Sequence, residues 1–477
     1  MNSKLFFLPL WVIVAFLGGC TLTPEYTRPV SPVPVAWPTG TAYQAANLAN
    51  GATTVSELKW KEFFTDEKLR QVIAMALNNN RDLRLAALNV ERARALYGIQ
   101  RAGLLPTVNT VGTISKQRVP GDLSSSGNAT NLEQYNVNLG ISSWEIDFFG
   151  RIRSLKDNAL EQYLAMDQTR RSAQILLLSA IANSYLALAA DRESLALVTS
   201  TLVAQEASCK LVRKRYDVGL ASEIDLNRAQ SQVETARGDI ARYTQLAAQD
   251  ENALSLLVGS PVPQALMPPE LGSVSPPKEI SPGLSSELLL QRPDVLAAEH
   301  GLKAANANIG AARAAFFPRI SLTTSIGTAS ADLSGLFKSG QGTWSFAPQI
   351  TIPIFDARTW SAYDVTMIER EMSVSQYEKA IQVAFREVAD ALAVQGTVNQ
   401  QLTAQQSLVN AVAKTYRLSN LRYNKGIDSY LDVLDAQRSL YAAQQGLIML
   451  RLSRLTNLVT LYKVLGWGEE GGRRSGT

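Results

Sequence analysis

The chain has 477 residues, of which 46% are hydrophobic and 18% charged, and its formal net charge is +4. The slight excess of lysine and arginine is spread along the sequence, without the basic clusters that are typical of nucleic-acid binding. A single histidine and two cysteines leave too few ligands for a zinc site and too little for general acid–base chemistry. We therefore expect neither an enzyme, nor a metal site, nor any cofactor other than covalent lipid.

The first 20 residues have the features of a bacterial lipoprotein signal. Lys4 precedes the apolar run Leu5–Leu17, and Gly18-Gly19 leads directly into Cys20. The run has 13 residues, too few to cross a hydrocarbon core about 30 Å thick. We expect a signal peptide over residues 1–19, and N-palmitoyl and S-diacylglycerol groups on Cys20. The alternatives are an ordinary signal peptide that ends near a cysteine, or a short membrane anchor.

The mature chain is expected to have two similar domains between connecting segments. Residues 20–60 form the lipid anchor and an extended proline-rich tether, residues 260–284 form a proline-rich linker, and residues 467–477 form a disordered tail. The two domains are then residues 61–259 and 285–466. No segment after the leader has 18 consecutive apolar residues, so no transmembrane helix is expected there.

The two domains are predicted to be copies of one unit, because short sequences recur in the same order. Four pairs lie 212 or 207 residues apart: Asn80-Arg81-Asp82-Leu83 and Arg292-Pro293-Asp294-Val295, Phe148-Phe149-Gly150-Arg151 and Phe355-Asp356-Ala357-Arg358, Arg215-Tyr216-Asp217-Val218-Gly219 and Arg422-Tyr423-Asn424-Lys425-Gly426, and Leu257-Val258-Gly259 and Val464-Leu465-Gly466. Each pair is weak alone, but together they indicate a duplicated unit of about 200 residues.

Each repeat begins with a helix, over Asp66–Gly103 in the first copy, and a proline ends that helix. Two strands follow, and then a pair of proline-free segments that is typical of a long coiled-coil-like hairpin. These segments are residues 151–218 and 222–258 in the first copy, and 359–425 and 429–465 in the second. We expect Cys209 to be a packed thiol and His300 to lie on a helix surface.

Four strands in one chain cannot close a sheet. Alternation of apolar and polar residues is clearest in Tyr135–Ile141 and in residues 344–354. Strands that span a bilayer must close into a barrel, because unpaired backbone groups are costly in hydrocarbon. The smallest such barrels have about eight strands, so the chain must oligomerise. Two copies would give eight strands with a filled interior, and three would give 12 with an open lumen.

The ends of the two hairpins carry matching turn signals. Gly219 and Gly426 suit the left-handed residue that ends a helix, and Ser222 and Ser429 can cap the helix that follows. We therefore expect two tight helical hairpins at the ends of long rods.

The sequence resembles the TolC-like outer-membrane efflux factors, in particular their lipidated branch. The resemblance covers Cys20 to Gly466 and rests on the following segments: the Cys20 lipobox, Trp60-Lys61-Glu62-Phe63-Phe64, Leu105-Pro106, Phe317-Pro318, Trp144-Glu145-Ile146-Asp147-Phe148-Phe149-Gly150-Arg151, Arg422-Tyr423-Asn424-Lys425-Gly426 and Tyr430-Leu431-Asp432-Val433-Leu434-Asp435-Ala436-Gln437-Arg438. It implies an α+β membrane protein, a homotrimer whose 12-stranded β-barrel in the outer membrane continues into a long periplasmic α-helical barrel.

The resemblance also implies partners and a function. The trimer would be the exit duct of a tripartite efflux pump for drugs, toxic organic molecules or metal ions. A periplasmic adaptor would dock on the hairpin tips, and an inner-membrane transporter, expected to be proton-driven, would supply the energy. The tip residues are Val218, Gly219, Leu220, Lys425, Gly426 and Ile427.

In this family the residues that match Leu431 and Asp435 line the closed periplasmic aperture, and those that match Arg422 and Tyr423 belong to the network that holds it shut. Asp435 follows Leu431 by four residues, so both face one side of a helix. Three copies of the carboxylate would repel each other, and a basic residue nearby, such as Arg228 or Arg422, would hold them. The alternative is an ordinary solvated helix face.

Two other functional classes compete with the efflux duct. A periplasmic coiled-coil lipoprotein would explain the helices and the lipid, but not the paired strands. A duct for protein secretion remains a second alternative within the same architecture. Substrate identity, the choice of adaptor and pump, and the resting state of the aperture are not readable from the sequence.

Overall fold

The computed structural model describes residues 21–43, 53–54, 59–125, 127–281 and 285–466. Its helices are α1 (Trp60–Phe63), α2 (Glu67–Asn79), α3 (Arg81–Ala102), α4 (Arg151–Asp217), α5 (Glu223–Val258), α6 (Pro293–Ala314), α7 (Ala357–Asn424) and α8 (Tyr430–Val464). Its strands are β1 (Thr53–Thr54), β2 (Val108–Val119), β3 (Thr130–Ile146), β4 (Ile280–Ser281), β5 (Arg319–Ser330) and β6 (Gly342–Thr351). The leader, Cys20 and the tail 467–477 lie outside the described residues.

The long strands form one antiparallel sheet in the order β2-β3-β5-β6, and β1 pairs with β4 separately. The register places Val108 opposite Ile141 in the first pair and Ile320 opposite Ile350 in the last. In the described part of the chain β2 and β6 do not pair with each other, so both edges of the sheet are open. The expectation that four strands do not close within one polypeptide is confirmed.

The two repeats have the predicted plan of helix, two strands and long helical hairpin, and the predicted fold class is confirmed. The hairpin helices α4 and α7 have 67 and 68 residues, and α5 and α8 have 36 and 35. The α4 helix contains an apolar 18-residue window long enough to cross a membrane, but 61% of that window is buried inside the fold. Its apolar character is therefore explained by internal packing.

The single helix expected over Asp66–Gly103 is wrong, because the chain breaks at Asn80 into α2 and α3. Asn80 has an extended backbone, its Oδ1 accepts from the Leu83 N–H at 2.7 Å, and its Nδ2 donates to the Leu257 carbonyl at 2.8 Å. The second repeat has Arg292 at this position, and its guanidinium donates to the Val464 carbonyl at 2.7 Å. In both repeats a side chain before a helix thus binds the last turn of the hairpin.

The chain divides into two compact units. The first contains residues 21–30, 89–166 and 297–377, and the second contains residues 31–88, 167–296 and 378–466 with the gaps given above. The first unit holds the long sheet. The second holds the aromatic packing of Phe63 on Tyr462, whose ring centroids lie 4.3 Å apart.

In the first unit the N-terminal arm, residues 21–30, lies along α6. The Pro24 carbonyl accepts from Asn306 at 2.8 Å, and Arg28 pairs with Glu299 at 2.7 Å. Glu299 also pairs with Lys303 at 3.1 Å and is 2% exposed. Burial opposes ionisation of Glu299, but hydrogen bonds from Arg28 and Lys303 outweigh it, so its pKa lies below the ordinary value.

The expectations for two single residues differ in outcome. His300 does not lie on a free helix surface: its Nδ1 lies 2.6 Å from the Glu161 Oε2, and both side chains are mostly buried. The helical pattern alone could not show that α4 would supply a carboxylate there. Cys209 is a free, half-buried thiol packed against the apolar cluster at the hairpin ends, as predicted.

Candidate functional site

Both hairpins end in a left-handed glycine, as the sequence predicted. Gly219 has a φ of 73°, and behind it the Leu220 N–H donates to the Arg215 carbonyl at 2.7 Å. The Gly219 N–H also donates to the Tyr216 carbonyl at 2.9 Å. At the second turn Gly426 has a φ of 75°, and the two equivalent bonds run from Gly426 to Tyr423 at 2.9 Å and from Ile427 to Arg422 at 3.0 Å. This arrangement is the Schellman motif, which satisfies the last carbonyls of a helix where its chain reverses.

The helices that leave the turns begin with matching caps. The Ser222 Oγ accepts from the Asp225 N–H at 3.1 Å, and the Asp225 carboxylate accepts from the Ser222 hydroxyl at 2.8 Å. In the second hairpin the Asp432 carboxylate accepts from both the N–H and the hydroxyl of Ser429, at 3.1 and 2.7 Å. The expected serine caps are present, and the aspartates that complete them fix the geometry of both turns.

An apolar cluster joins the ends of α4, α5, α7 and α8. Its buried members are Val212, Ala229, Tyr423, Tyr430, Val433 and Leu434. The rings of Tyr423 and Tyr430 lie 5.3 Å apart, and the Arg215 guanidinium lies 4.5 Å above the Tyr423 ring. Tyr423 is therefore a packing residue that holds the two hairpins together at their ends, in addition to any role at an aperture.

Arg422 binds Asp428 across the second turn with two hydrogen bonds, of 2.6 and 2.8 Å. The hydrogen bond from Arg422 holds the pKa of Asp428 below its ordinary value, and Asp428 in turn raises the pKa of Arg422. Asp428 was not among the predicted site residues. The signal for it was available, since an arginine and an aspartate flank the Gly426 turn six residues apart.

Leu431 and Asp435 lie exposed on the same side of α8, as their spacing predicted. The Asp435 side chain is 64% exposed, and its ion pair is with Arg438, one turn along the helix, at 3.7 Å. Arg422 pairs with Asp428 instead, and Arg228 is exposed on α5. Within one chain the Asp435 carboxylate therefore pairs with Arg438, and not with Arg228 or Arg422. Arg438 was not among the predicted site residues.

The ends of both hairpins present apolar side chains to solvent. Val218 and Leu220 at the first turn and Ile427 at the second are exposed, and Ile224 extends this surface onto α5. Neighbouring exposed apolar residues are typical of a surface that a partner covers. The predicted tip residues are thus brought together at each turn, around Gly219 and Gly426.

A second titratable pair lies within the first hairpin. Asp191 of α4 and Asp250 of α5 interact with each other, and the Asp250 Oδ2 is buried without a hydrogen-bond partner among the described residues. Burial and the neighbouring Asp191 charge raise the pKa of Asp250 to about 6, and burial also raises the pKa of Asp191. Arg242 is the basic group that faces Asp191. The second repeat has Asn457 where the first has Asp250, and its amide donates to the Ala391 carbonyl at 3.1 Å.

We expect Asp250→Asn to stabilise the protein at pH 7.5. The folded state holds the Asp250 proton to about pH 6, whereas the unfolded chain releases it near pH 4. The wild type therefore loses stability as the pH rises from 4 to 6, and the variant does not. Because the pair is partly solvated, we expect a gain of about 1 kcal/mol at pH 7.5. Urea midpoints at pH 4.5 and 7.5 measure it, with Asp364→Asn as the control; equal pH slopes in wild type and variant would contradict it.

Within the ranges that the structure describes, no three histidine, cysteine, aspartate or glutamate side chains are grouped as metal ligands. The arrangement at the hairpin ends offers a rigid surface and exposed charge. The sheet in the same chain is open at both edges within the described residues.

Comparisons with known proteins identify the class of protein. The sequence matches the outer membrane efflux protein family over residues 72–260 and 284–467. It is 48% identical to the antibiotic efflux pump outer membrane protein ArpC of Pseudomonas putida over 98% of this chain and 96% of that protein. The toluene efflux pump outer membrane protein TtgC, also of Pseudomonas putida, has the same identity and coverage. A crystal structure of a membrane protein from Pseudomonas aeruginosa superposes with a TM-score of 0.88 and 41% identity, covering 95% of this chain and 99% of that one.

The chain belongs to the outer membrane efflux protein family. It is an outer-membrane protein and a passive exit duct of an efflux pump, and it is not an enzyme. The predicted family, fold, function and location are confirmed.

Proposed function

We propose that three copies of this chain form one continuous duct, a 12-stranded β-barrel with an α-helical barrel below it. The observation that carries the proposal is the open sheet: within the described chain β2 pairs only with β3 and β6 only with β5, so one edge of each strand is unpaired. An open edge in hydrocarbon leaves backbone groups unsatisfied, at a cost of several kcal/mol each. Pairing β6 of one copy with β2 of the next removes both edges at once.

Measurement of the native mass and single-channel recording together test the proposed trimeric duct. We expect the detergent-solubilised protein to have three times the chain mass, and to form a conducting pore in planar bilayers. A stable monomer, or a trimer that never conducts in any condition, would contradict the proposal.

We propose that the duct carries N-palmitoyl and S-diacylglycerol groups on Cys20. The N-terminal arm supports this placement: the Leu22 carbonyl accepts from Arg313 at 3.3 Å, and Thr23 lies 3.1 Å from Ser154 between their hydroxyl oxygens. Arg313 is at the end of α6, and β5 begins at Arg319. The first described residues of the arm therefore lie at the end of α6 that leads into β5, which supports a lipid anchor on the membrane side of the chain. Mass spectrometry of the mature N-terminus tests it, with Cys20→Ala as the control.

Leu431 and Asp435 are proposed to line the periplasmic aperture, with Arg422, Tyr423 and Arg228 in the surrounding network. Both lining side chains are exposed in the single chain, so three copies can meet around an axis. The Arg422–Asp428 pair and the buried Tyr423 hold the turn beside them rigid.

We expect Asp435→Ala to raise the resting conductance of the trimer several-fold and to sensitise cells to a bulky antibiotic. The substitution removes the three Asp435 carboxylates, and with them the attraction to cations or arginine side chains that would hold the aperture narrow. Planar-bilayer recordings measure the change. Asp390→Ala removes an exposed aspartate from a different helix, α7, and is the control. Unchanged conductance in a trimer of normal mass would remove Asp435 from the aperture.

The hairpin tips are proposed as the docking surface for a periplasmic adaptor, which connects the duct to an inner-membrane transporter. The exposed apolar side chains of Val218, Leu220 and Ile427, with Lys425 beside them, give a surface that a partner can cover. Gly219 and Gly426 set the direction in which these side chains project.

We expect Gly426→Val and Gly219→Val to weaken docking. A β-branched residue at a φ of 73–75° is strained, so each turn must change shape. A loss of about 1–2 kcal/mol of binding free energy corresponds to roughly tenfold weaker association with the adaptor. Export by cells that express normal trimer levels measures the effect. Full export by both variants would remove the tips from the docking surface.

Small organic molecules are the proposed cargo. ArpC is named for antibiotic efflux and TtgC for toluene efflux. These names favour small-molecule efflux over protein secretion. Deleting the gene and comparing resistance to antibiotics, solvents and metal salts identifies the substrates; unchanged resistance to all three classes would contradict an efflux role in that host.

A further inference from the structure

The contact between the two repeats inside one chain includes hydrogen bonds between α4 and α6. In the first unit β3 pairs with β5, and α4 packs beside α6. The His300 Nδ1 of α6 lies 2.6 Å from the Glu161 Oε2 of α4. Nearby, the Asn158 amide donates to the Ala304 carbonyl at 2.7 Å. We call this contact the inner seam.

The repeat offsets identify the residues of the other repeat that are equivalent to His300 and Glu161. An offset of 212 residues relates His300 to Leu88, and an offset of 207 relates Glu161 to Ile368. Leu88 and Ile368 are apolar, and each is 57% exposed in the single chain. The polar pair of the inner seam is thus replaced by two uncovered aliphatic side chains.

These two residues belong to longer exposed apolar rows. On α3 the row comprises Leu85, Leu88, Leu96 and Ile99, and on α7 it comprises Trp360, Val365, Ile368 and Met372. The α3 helix leads into β2, and α7 follows β6. The rows therefore continue the two open edges of the sheet.

We propose that Leu88 packs against Ile368 of the partner subunit, as the centre of an apolar outer seam between copies. This proposal rests on the trimer proposed above and assigns the contact that joins its subunits. The occupant is a second copy because the internal duplication supplies the geometry: β6 meets β2 of the partner as β3 meets β5, and α7 meets α3 as α4 meets α6.

The difference in chemistry between the two seams determines which helices become neighbours in the assembly. If α4 met α3 of another copy, Glu161 would face a leucine and lose its partner on burial. Leaving a buried carboxylate or imidazole unpaired is strongly unfavourable. One matched polar pair within the chain and one matched apolar pair between chains therefore disfavour the wrong neighbour. The seams alternate around the ring, and each repeat has one of each.

Disulfide cross-linking distinguishes the two seams. In a Cys209→Ser background, L88C/I368C should give dimers and trimers on non-reducing gels after mild oxidation. The matched control is E161C/H300C at the inner seam, which should close within one chain and leave the monomer mass unchanged. L88C alone should give no trimer band.

The apolar pair at the outer seam should also be replaceable by the polar pair of the inner seam. Leu88→His and Ile368→Glu should each lower the fraction of trimer at least tenfold at a fixed protein concentration, whereas L88H/I368E, which copies the inner pair, should restore it. No restoration in the double variant would overturn the pairing of these two positions.

The outcomes separate this proposal from the trimer itself. If the protein has trimer mass and conducts, but L88C/I368C stays monomeric while E161C/H300C closes, the outer seam is wrong and the duct remains. If the protein is a monomer in every preparation, both proposals fail.

Discussion

Gly259→Ala is expected to destabilise the second unit by about 3–4 kcal/mol, near the upper end of single substitutions. Gly259 ends α5 with a φ of 77°, and a Cβ there would lie 2.5 Å from the Asn79 carbonyl oxygen. The left-handed conformation costs an alanine about 1–2 kcal/mol, and the clash adds the rest. Relieving the clash moves Asn80 away from the Leu257 carbonyl that it binds at 2.8 Å, so the α2–α3 junction also loosens.

Gly219→Ala is the matched control for this prediction. Its φ of 73° is nearly the same, but no heavy atom lies within 4 Å of the Cβ position. It should therefore cost only the conformational strain of about 1 kcal/mol. Urea midpoints and apparent melting temperatures in detergent measure both variants. Equal losses of stability in Gly259→Ala and Gly219→Ala would show that the clash with the Asn79 carbonyl contributes nothing.

Glu299→Gln is expected to release the N-terminal arm and to destabilise the first unit by about 2–3 kcal/mol. The amide leaves Arg28 and Lys303 without a countercharge beside a buried group. Arg28 is half exposed and can rehydrate, so the loss should stay below that of a fully buried pair. Hydrogen exchange of the amides in residues 22–28 should accelerate together with a lower melting temperature.

The pH dependence gives an independent check of the Glu299 pair. Because the folded pKa of Glu299 is depressed, its stabilisation is present above the unfolded value, about 4.3, and is lost as the pH falls through the folded value. Glu299→Gln should lack that acid-dependent loss. The control is Glu91→Gln, whose partner Arg94 lies 3.8 Å away on an exposed face of α3, and which should cost less than about 0.5 kcal/mol. Slow exchange of the arm in Glu299→Gln would contradict the prediction.

Local signals were sufficient for the hairpins and their ends. A left-handed glycine, a serine cap and an absence of proline act within a few residues, so Gly219, Gly426 and Ser222 could be interpreted without a partner. The duplication and the open sheet were also predictable, since strand number and repeat spacing follow from the order of residues. That Leu431 and Asp435 lie on the same side of a helix followed from helical periodicity alone.

Ion pairs between distant segments could not be predicted in the same way. Arg422 was expected near Asp435, but Asp428 lies closer across the turn and takes both of its hydrogen bonds. His300 was expected at a surface, and Glu161 covers it from 139 residues away. The partner of a charged side chain depends on which helices pack together, and many carboxylates in the sequence were equally plausible.

The sequence by itself determined the membership of this protein in its family, its two-repeat plan, its long hairpins and the inability of its four strands to close alone. These features depend on periodicity, turn residues and counting. Only the tertiary structure decided the break at Asn80, the position of the N-terminal arm on Glu299 and the polar inner seam between the repeats. Each of these contacts joins residues 139 or more positions apart, and the packing of whole helices, which no local pattern encodes, selects among their many possible partners.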